Sequence, residues 1–472
     1  MWLQNCGDSI CSLSVILIVG GVVSCFYYLL LCIVRPFAAF GVLVFLSLMI
    51  WLSGIPFLGG LSMLVGVGIV FVSVWAVRLL ARKTRLILLR EFWLFAGLLL
   101  GIGLSTLVNW GGPAGLGSTF TYVQLLLLAV LVVNFTSTPS QLRRLGYLFI
   151  LASSLIALVM LLDQAGILPA GVVRSVQSVI MFGGDYDRFE RSGGIWGDPN
   201  FTALQLLVAL PFILEFWGGA SHRQKAMLAL SGGIILWALR YTYSMGGMVG
   251  LAVILLLKTF FLGKRNFIVL ATQITLTGLV AWWLVLNFLP EYYWARILVN
   301  LDMFRGLLTN NDPWFFLKLG TTRGDTWTAA LWTFVQSPVW GHGPGNSVYL
   351  NPSHSVFHSY LPMLGAHNFL LTVANDLGLV DLLLFIALLF SALWACWPKH
   401  HIDRSLEPIR NAIFIALVSS VVQGLAIDMQ SQKLLWVLLG MALVISHLSK
   451  ITETEERLTT ETGTLQFIKK LI

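Results

Sequence analysis

The feature that most constrains this chain is a succession of apolar stretches, each nearly free of charge. A helix rises about 1.5 Å per residue, so roughly 20 such residues cross the hydrocarbon core of a bilayer. Thirteen candidate spans are read near 12–34, 37–53, 57–77, 91–108, 119–135, 145–163, 200–217, 226–242, 245–262, 267–289, 367–396, 411–428 and 432–448, with the division near Ser244 the least marked. Composition points the same way: 57% of the 472 residues are hydrophobic and 11% are charged, against about 25% charged in soluble domains. A mean hydropathy of +0.85 leaves too little polar surface for a soluble globule. Disordered chains, disulfide-knit secreted scaffolds and ordinary soluble enzymes are excluded. The expected fold class is all-α: a polytopic membrane protein with about 12–13 transmembrane helices.

The net charge of +8 is spread singly among the apolar runs, not gathered into a nucleic-acid patch. It reads as the positive-inside bias of membrane loops, so the expected partner is the bilayer and no nucleic acid. Arg35, the 78–90 cluster, Arg143 and Arg144, Arg223 and Lys225, Lys264 and Arg265, the 398–411 loop and the C-terminal tail hold most of the basic residues. Those sides are expected to be cytoplasmic, with the N-terminus outside and the C-terminus inside. Two long external segments then stand out, 164–199 and 290–366. Both are rich in Trp, Phe and Gly, and long structured loops are commonly functional, so the active face is expected to be the external one. Residues 1–448 read as a single transmembrane domain and 449–472 as a cytoplasmic tail whose apolar end suits a short helix on the inner leaflet. The N-terminus lacks a basic region and a small-residue cleavage site, so no removable signal peptide is expected. The five cysteines have no metal-type spacing, no metal is expected, and a Cys6–Cys11 disulfide is left open. No internal repeat or matched pair of interrupted helices is visible, which counts against an inverted-repeat transporter.

The first external segment ends in Arg191-Ser-Gly-Gly-Ile-Trp-Gly-Asp198-Pro199-Asn200 and leads straight into an apolar helix. Asp198 suits the N-cap and Pro199 the first helical position. Arg191 beside that helix N-terminus makes an anion site; pairing with Glu190, Asp187 or Asp198 is the competing reading. In the second segment, Trp327, Ala330, Leu331, Phe334 and Val335 repeat at helical spacing after Thr322 and before Pro338, predicting an amphipathic helix. Arg323 falls in its first turn, where a cation opposes the dipole; it points to an anionic ligand or to lipid phosphate. Trp340-Gly-His-Gly343-Pro-Gly345-Asn346 reads as a tight turn re-entering the site, too proline-broken for a dinucleotide loop. His354 and His358 lack nearby carboxylates and carry little metal signal. His367-Asn368 opens the eleventh span, and His367 is a candidate base or hydrogen-bond donor, or a structural residue. Asp376, nine residues on, lies on the opposite side of a regular helix; it reads as a bond to another helix, not as the partner of His367. Arg240, at membrane depth, is a functional candidate unless it snorkels outward. Arginines with a histidine suit a lipid-linked pyrophosphate, which they can bind and stabilise as a leaving group.

Taken in order, these pieces resemble the O-antigen ligase and O-antigen polymerase superfamily of bacterial envelope glycosyltransferases, over roughly residues 120–445. The resemblance rests on Arg191-x-x-Gly194 with Gly-Asp-Pro-Asn200, Arg323 with Trp327, Gly341-x-Gly343-Pro-Gly345-Asn346, and His367-Asn368 leading to Asp376-Leu-Gly378. It implies a helical fold of the membrane glycosyltransferase C type in the bacterial cytoplasmic (inner) membrane. It further implies metal-independent, inverting transfer of a glycan from undecaprenyl diphosphate to a hydroxyl of a glycan, lipid or protein acceptor, with no cofactor. By resemblance Arg191 and Arg323 hold the diphosphate and His367 assists the acceptor or the leaving group. Gly343, Gly345 and Asn346 shape the cavity, and Asn200, Arg240, Asn368 and Asp376 join substrate binding. Two departures stand out. The family's Ser-Arg-Gly reads Ser244-Met245-Gly246 here, with Arg240 one turn earlier, and its Gly-x-x-Gly reads Gly378-Leu-Val-Asp381. The alternatives carried forward are an anion transporter, bicarbonate-like, and a catalytically inactive relative.

Overall fold

A computed structural model describes residues 24–49, 62–112, 114–169, 171–182, 185–262, 272, 275, 322–349, 365–397 and 405–451. The expected span at 267–289 except for residues 272 and 275, most of the second long segment, His354, His358, Cys6, Cys11 and the tail beyond 451 lie outside the described residues. Every other expected span carries a helix. In chain order these are α1 (Ser24–Val34), α2 (Pro36–Leu48), α3 (Met63–Leu80), α4 (Phe92–Val108), α5 (Gly115–Phe135) and α6 (Pro139–Gln164). There follow α7 (Pro199–Leu207), α8 (Leu210–Phe216), α9 (His222–Thr242), α10 (Met245–Leu262), α11 (Thr322–Gln336), α12 (Phe369–Ala395) and α13 (Glu407–Gly424), then α14 (Lys433–Ile451). Six stretches, namely α3, α5, α6, Pro199–Gly219, α12 and α14, are long and apolar enough to cross a membrane. The protein is a mostly helical, polytopic membrane protein.

Three details depart from or sharpen the sequence reading. The first long segment holds a β-hairpin that the sequence reading did not expect within this mostly helical fold: β1 (Ser175–Phe182) pairs antiparallel with β2 (Asp185–Ser192), with Phe182 opposite Asp185. Gly183-Gly184 is a two-residue hairpin signal that the span-based reading passed over. The seventh span is two helices, because Pro211 cannot bond the Leu207 carbonyl and its ring crowds that turn. The division at Ser244 is real: α9 ends with Tyr243 in the left-handed region (φ 48°).

The described residues fall into two compact units, 1–87 with 134–136, and 88–133 with 137–472. The first centres on Phe40, Phe71, Trp75 and Phe135, with ring centroids 4.7 Å apart for Phe71 and Phe135 and 5.5 Å for Phe40 and Phe135. Asn134 ties down the Ile87 backbone there, accepting from its N–H at 2.8 Å.

The second unit contains every candidate residue. Its helices pack through small residues, as association inside a bilayer requires when lipid is as apolar as the side chains. α4 turns Gly97, Gly101 and Ser105, one per turn, toward α12. Leu384 lies over Gly97, the Asp381 carboxylate lies over Gly101, and Ser105 Oγ donates to the Asp376 carbonyl at 2.8 Å. Gly146 of α6 likewise admits the Phe212 and Phe216 rings, and Phe149 stacks on Phe212 at 5.3 Å. α11 follows the same logic. Its buried face is Thr326, Ala329 and Ala330, while Leu331 and Val335 of the expected stripe point outward.

Gly101→Val should push the Asp381 carboxylate off α4 and destabilise the protein by about 1–3 kcal/mol, read by thermal unfolding in detergent. Gly103 has open space around it, so Gly103→Val is the control and should shift stability by less than about 0.5 kcal/mol.

Candidate functional site

Three polar clusters carry the candidate residues. The first joins the base of the hairpin to α7. Asp198 caps α7, its Oδ1 accepting from the N–H groups of Asn200 (2.7 Å) and Phe201 (3.2 Å). Thr202 Oγ1 donates to the Gly193 carbonyl at 2.6 Å, and Gly193 N–H donates to the Arg174 carbonyl at 2.8 Å. A side chain at Gly193 would strike the backbone of Gly197 and Asp198, so the glycines after Arg191 are needed for this close approach. Arg191 is only 8% exposed. Its Nε donates to the Thr242 carbonyl and its Nη2 to Asn200 Oδ1, both at 3.0 Å. Asn200 Oδ1 also accepts from Ser244 Oγ at 2.8 Å. Arg191, Asn200 and Ser244 thus come together where α7 begins and α9 gives way to α10, and Asp198 is spent on the cap. Arg240 does not join this set. Its guanidinium lies 5.4 Å from the ring centroid of Trp237, three residues earlier on α9.

The second cluster is built on a break in α12. Gly378 has φ 87° and ψ −179° inside the helix, and a side chain there would run into the Val339 carbonyl. The 338–347 segment lies against the break and takes up the backbone groups that it frees. His342 N–H donates to the Asn375 carbonyl (2.7 Å), Gly343 N–H to the Asp376 carbonyl (3.0 Å), and Leu379 N–H to the Pro338 carbonyl (2.8 Å). The Asp376 carboxylate, 1% exposed, accepts from Gly345 N–H on Oδ2 and from Ser347 N–H on Oδ1, each at 2.9 Å. Asp376 therefore bonds this turn as well as the neighbouring helices to which the sequence pointed, through Ser105 of α4 and Tyr122 of α5. Asn346 spans the turn: Oδ1 accepts from Ala114 N–H (2.9 Å) and Nδ2 donates to the His342 carbonyl (2.7 Å).

The third cluster sits at the start of α12. Asn368 caps it, Oδ1 accepting from the N–H groups of Leu370 and Leu371. His367 adopts φ 49°, and its N–H and that of Asn368 both point at the Asp428 carboxylate, at 3.3 and 3.2 Å. Thr372 Oγ1 donates to Asp428 Oδ1 at 2.5 Å. His367 Nδ1 lies 3.8 Å from Asp428 Oδ2, with the imidazole 36% exposed. The buried Tyr122 sits among Asp376, Gln430 and Asp428 and so links the second and third clusters. α11 abuts the third, Thr326 Oγ1 approaching the Ala366 carbonyl at 3.5 Å. Arg323 lies one turn before Thr326; its side chain is outside the described residues.

Asp428 and Ser244 were not legible as site residues. Asp428 follows α13, 61 residues after His367, and no local pattern links the two. Ser244 is visible only as the remnant of Ser-Arg-Gly. No family model matches the chain, and no similar protein is found among the curated ones.

Asp376→Ala should strand the N–H groups of Gly345 and Ser347 and cost about 2–4 kcal/mol, measured by thermal unfolding. Amide exchange at those two residues should quicken, and Asp376→Asn, which keeps one acceptor oxygen, should lose less.

Proposed function

We propose that this chain is a membrane transferase that moves a glycan from a polyprenyl diphosphate, such as undecaprenyl diphosphate, to an acceptor hydroxyl. In this reading the acceptor face is the one bearing the hairpin and the 338–347 segment, facing outward from a bacterial inner membrane because the basic loops lie on the other side. The observation that carries this reading is the His367–Asp428 pair, a part-exposed imidazole whose Nδ1 lies 3.8 Å from a carboxylate at a helix mouth. In the proposed complex Asp428 closes the remaining distance and bonds Nδ1–H, which favours the tautomer whose Nε2 accepts a proton. In the proposed step Nε2 takes the proton of the acceptor hydroxyl. The acceptor oxygen bonds the anomeric carbon as the bond from that carbon to the diphosphate oxygen breaks, with inversion. The diphosphate leaves with the electron pair. Arg191, fixed by Asn200 and Thr242 at the α7 N-terminus, and Arg323, in the first turn of α11, supply positive charge for the leaving group. O-antigen ligase, polysaccharide polymerase and protein glycosyltransferase activities differ from one another only in the acceptor.

An anion-transport reading has one observation behind it, the interrupted α12, since broken helices commonly build ion sites. The Asn375 and Asp376 carbonyls and the Leu379 N–H at that break are already bonded by the 338–347 segment, and the buried Asp376 carboxylate holds two further N–H groups of that segment that an anion would otherwise take. The transferase reading is therefore preferred.

The test is paired. Arg191→Ala should weaken binding of undecaprenyl diphosphate to the purified protein by about tenfold or more, with folding checked by thermal unfolding because Arg191 also ties α7 to α9. His367→Ala should leave that affinity intact and slow turnover about 10²–10⁴-fold, with Asp428→Asn falling between. Normal turnover by His367→Ala removes the histidine from the chemistry. Wild-type protein that fails to bind the diphosphate, while it carries bicarbonate into vesicles, establishes transport instead.

A further inference from the structure

A pocket of about 250 Å³ opens beside the turn that holds Asp376. Its walls come from the end of α4 and the residues after it, Thr106, Asn109, Trp110 and Leu116, and from Pro344 and Asn346 of the turn, with glycines between them. Its size falls below the roughly 300–1,000 Å³ of drug-sized clefts, so it suits a single ring and not a lipid tail. Among the described residues no charged side chain lines it, so nothing in it matches a diphosphate. Its chemistry is that of neutral hydroxyls: one broad aromatic ring and two amides.

The amides are held in place by the fold. Asn109 Nδ2 donates to the Ser105 carbonyl (2.8 Å) and the Gly341 carbonyl (3.3 Å), and Asn346 is fixed at both ends of its amide. Among the described residues this leaves Asn109 Oδ1 and one Asn346 N–H without an intramolecular partner, an acceptor and a donor against the same pocket. Trp110 is 69% exposed and Leu116 is 56% exposed, so neither is needed by the core. Gly111 and Gly115 have positive φ and open space where a Cβ would stand, which leaves backbone accessible to a close ligand.

We propose that this pocket is a saccharide subsite that takes one neutral pyranose ring of the glycan on which the enzyme acts. Trp110 stacks against the apolar face of the ring, and the Asn109 and Asn346 amides bond its hydroxyls. The inference rests on the transferase reading and deepens it, because the two N–H groups flanking Asn346 in the turn are those bound by Asp376, next to Tyr122 and Asp428.

The experiment is saturation-transfer-difference NMR on the full chain in nanodiscs, with lactose, maltose and diacetylchitobiose as probes. These sugars carry neither lipid nor phosphate. At least one should receive saturation on its ring protons, with affinity falling about tenfold in Trp110→Ala and the signal disappearing in Leu116→Trp, which fills the pocket. Trp93, 80% exposed on the opposite end of α4, controls for a tryptophan that merely anchors in the membrane interface, and Trp93→Ala should change nothing. No saturation with any probe, or saturation undiminished in both pocket variants, overturns the subsite. Undecaprenyl diphosphate binding is measured on the same samples. Diphosphate binding without sugar saturation removes the subsite and leaves the transferase; pocket-dependent saturation without diphosphate binding upholds the subsite and removes the transferase.

Discussion

Inside a bilayer a backbone N–H or C=O without a partner costs several kcal/mol, and α12 interrupts its own ladder at Gly378. The interruption is tolerated because the 338–347 segment supplies the missing partners on both sides of the break, and because Asp376 adds a carboxylate that binds two further N–H groups of the same segment. Much of the second unit follows from this arrangement. The turn at 341–347 takes its shape from α12, Asn109 and Ser105 attach α4 to the assembly, and the glycines of α4 let the helices approach closely enough for those bonds to form. The Gly-Pro-Gly-Asn sequence is thus explained twice over. Gly343 and Gly345 are both left-handed and lie so close to Asn109 and Ser118 that a side chain would not fit, and Asn346 secures the turn to the residues after α4.

The candidate chemistry is divided by charge. Cationic groups gather where a helix begins, at Arg191 beside α7 and in the first turn of α11, and each begins at the N-terminal, positive end of a dipole. The His367–Asp428 pair stands apart from both arginines in sequence and is carried by α12 and the turn after α13. The pocket beside Trp110 carries no charge among the described residues. The substrate of the proposed transfer, a diphosphate joined to a neutral sugar, has the same division along its length.

The positions of the helices were readable because crossing a bilayer demands about 20 apolar residues in a row, and each expected span within the described residues carries a helix. The hairpin was missed because its longest apolar run, Val179-Ile180-Met181-Phe182, is far too short to register as a span, although Gly183-Gly184 marked the turn. Within the site, legibility followed sequence distance. The Asp198 cap, Pro199 and the Arg191 glycines act on close neighbours and could be read directly. Asp376 was read as a bond to another helix, and Ser105 of α4 and Tyr122 of α5 do meet it, but the two N–H groups on its carboxylate lie about 30 residues upstream on a segment with no periodicity. Asp428, the group that does face His367, is specified only by how α12 and α13 pack. On α11 the apolar stripe was legible but not which part of it packs: in a bilayer the large apolar residues can face lipid, and the small ones mark the contact between helices.

The suture across Gly378 also bears on biogenesis. α4 and the 338–347 segment both precede α12 in the chain, so every group that completes the broken helix has been synthesised before the break itself emerges. Read in the opposite direction, from the C-terminus, the same helix would enter the membrane with its freed amides and two aspartates uncovered. The N-to-C order of synthesis therefore acts as a folding aid for this span, and a circular permutant that placed α12 ahead of α4 would have to insert it without that help.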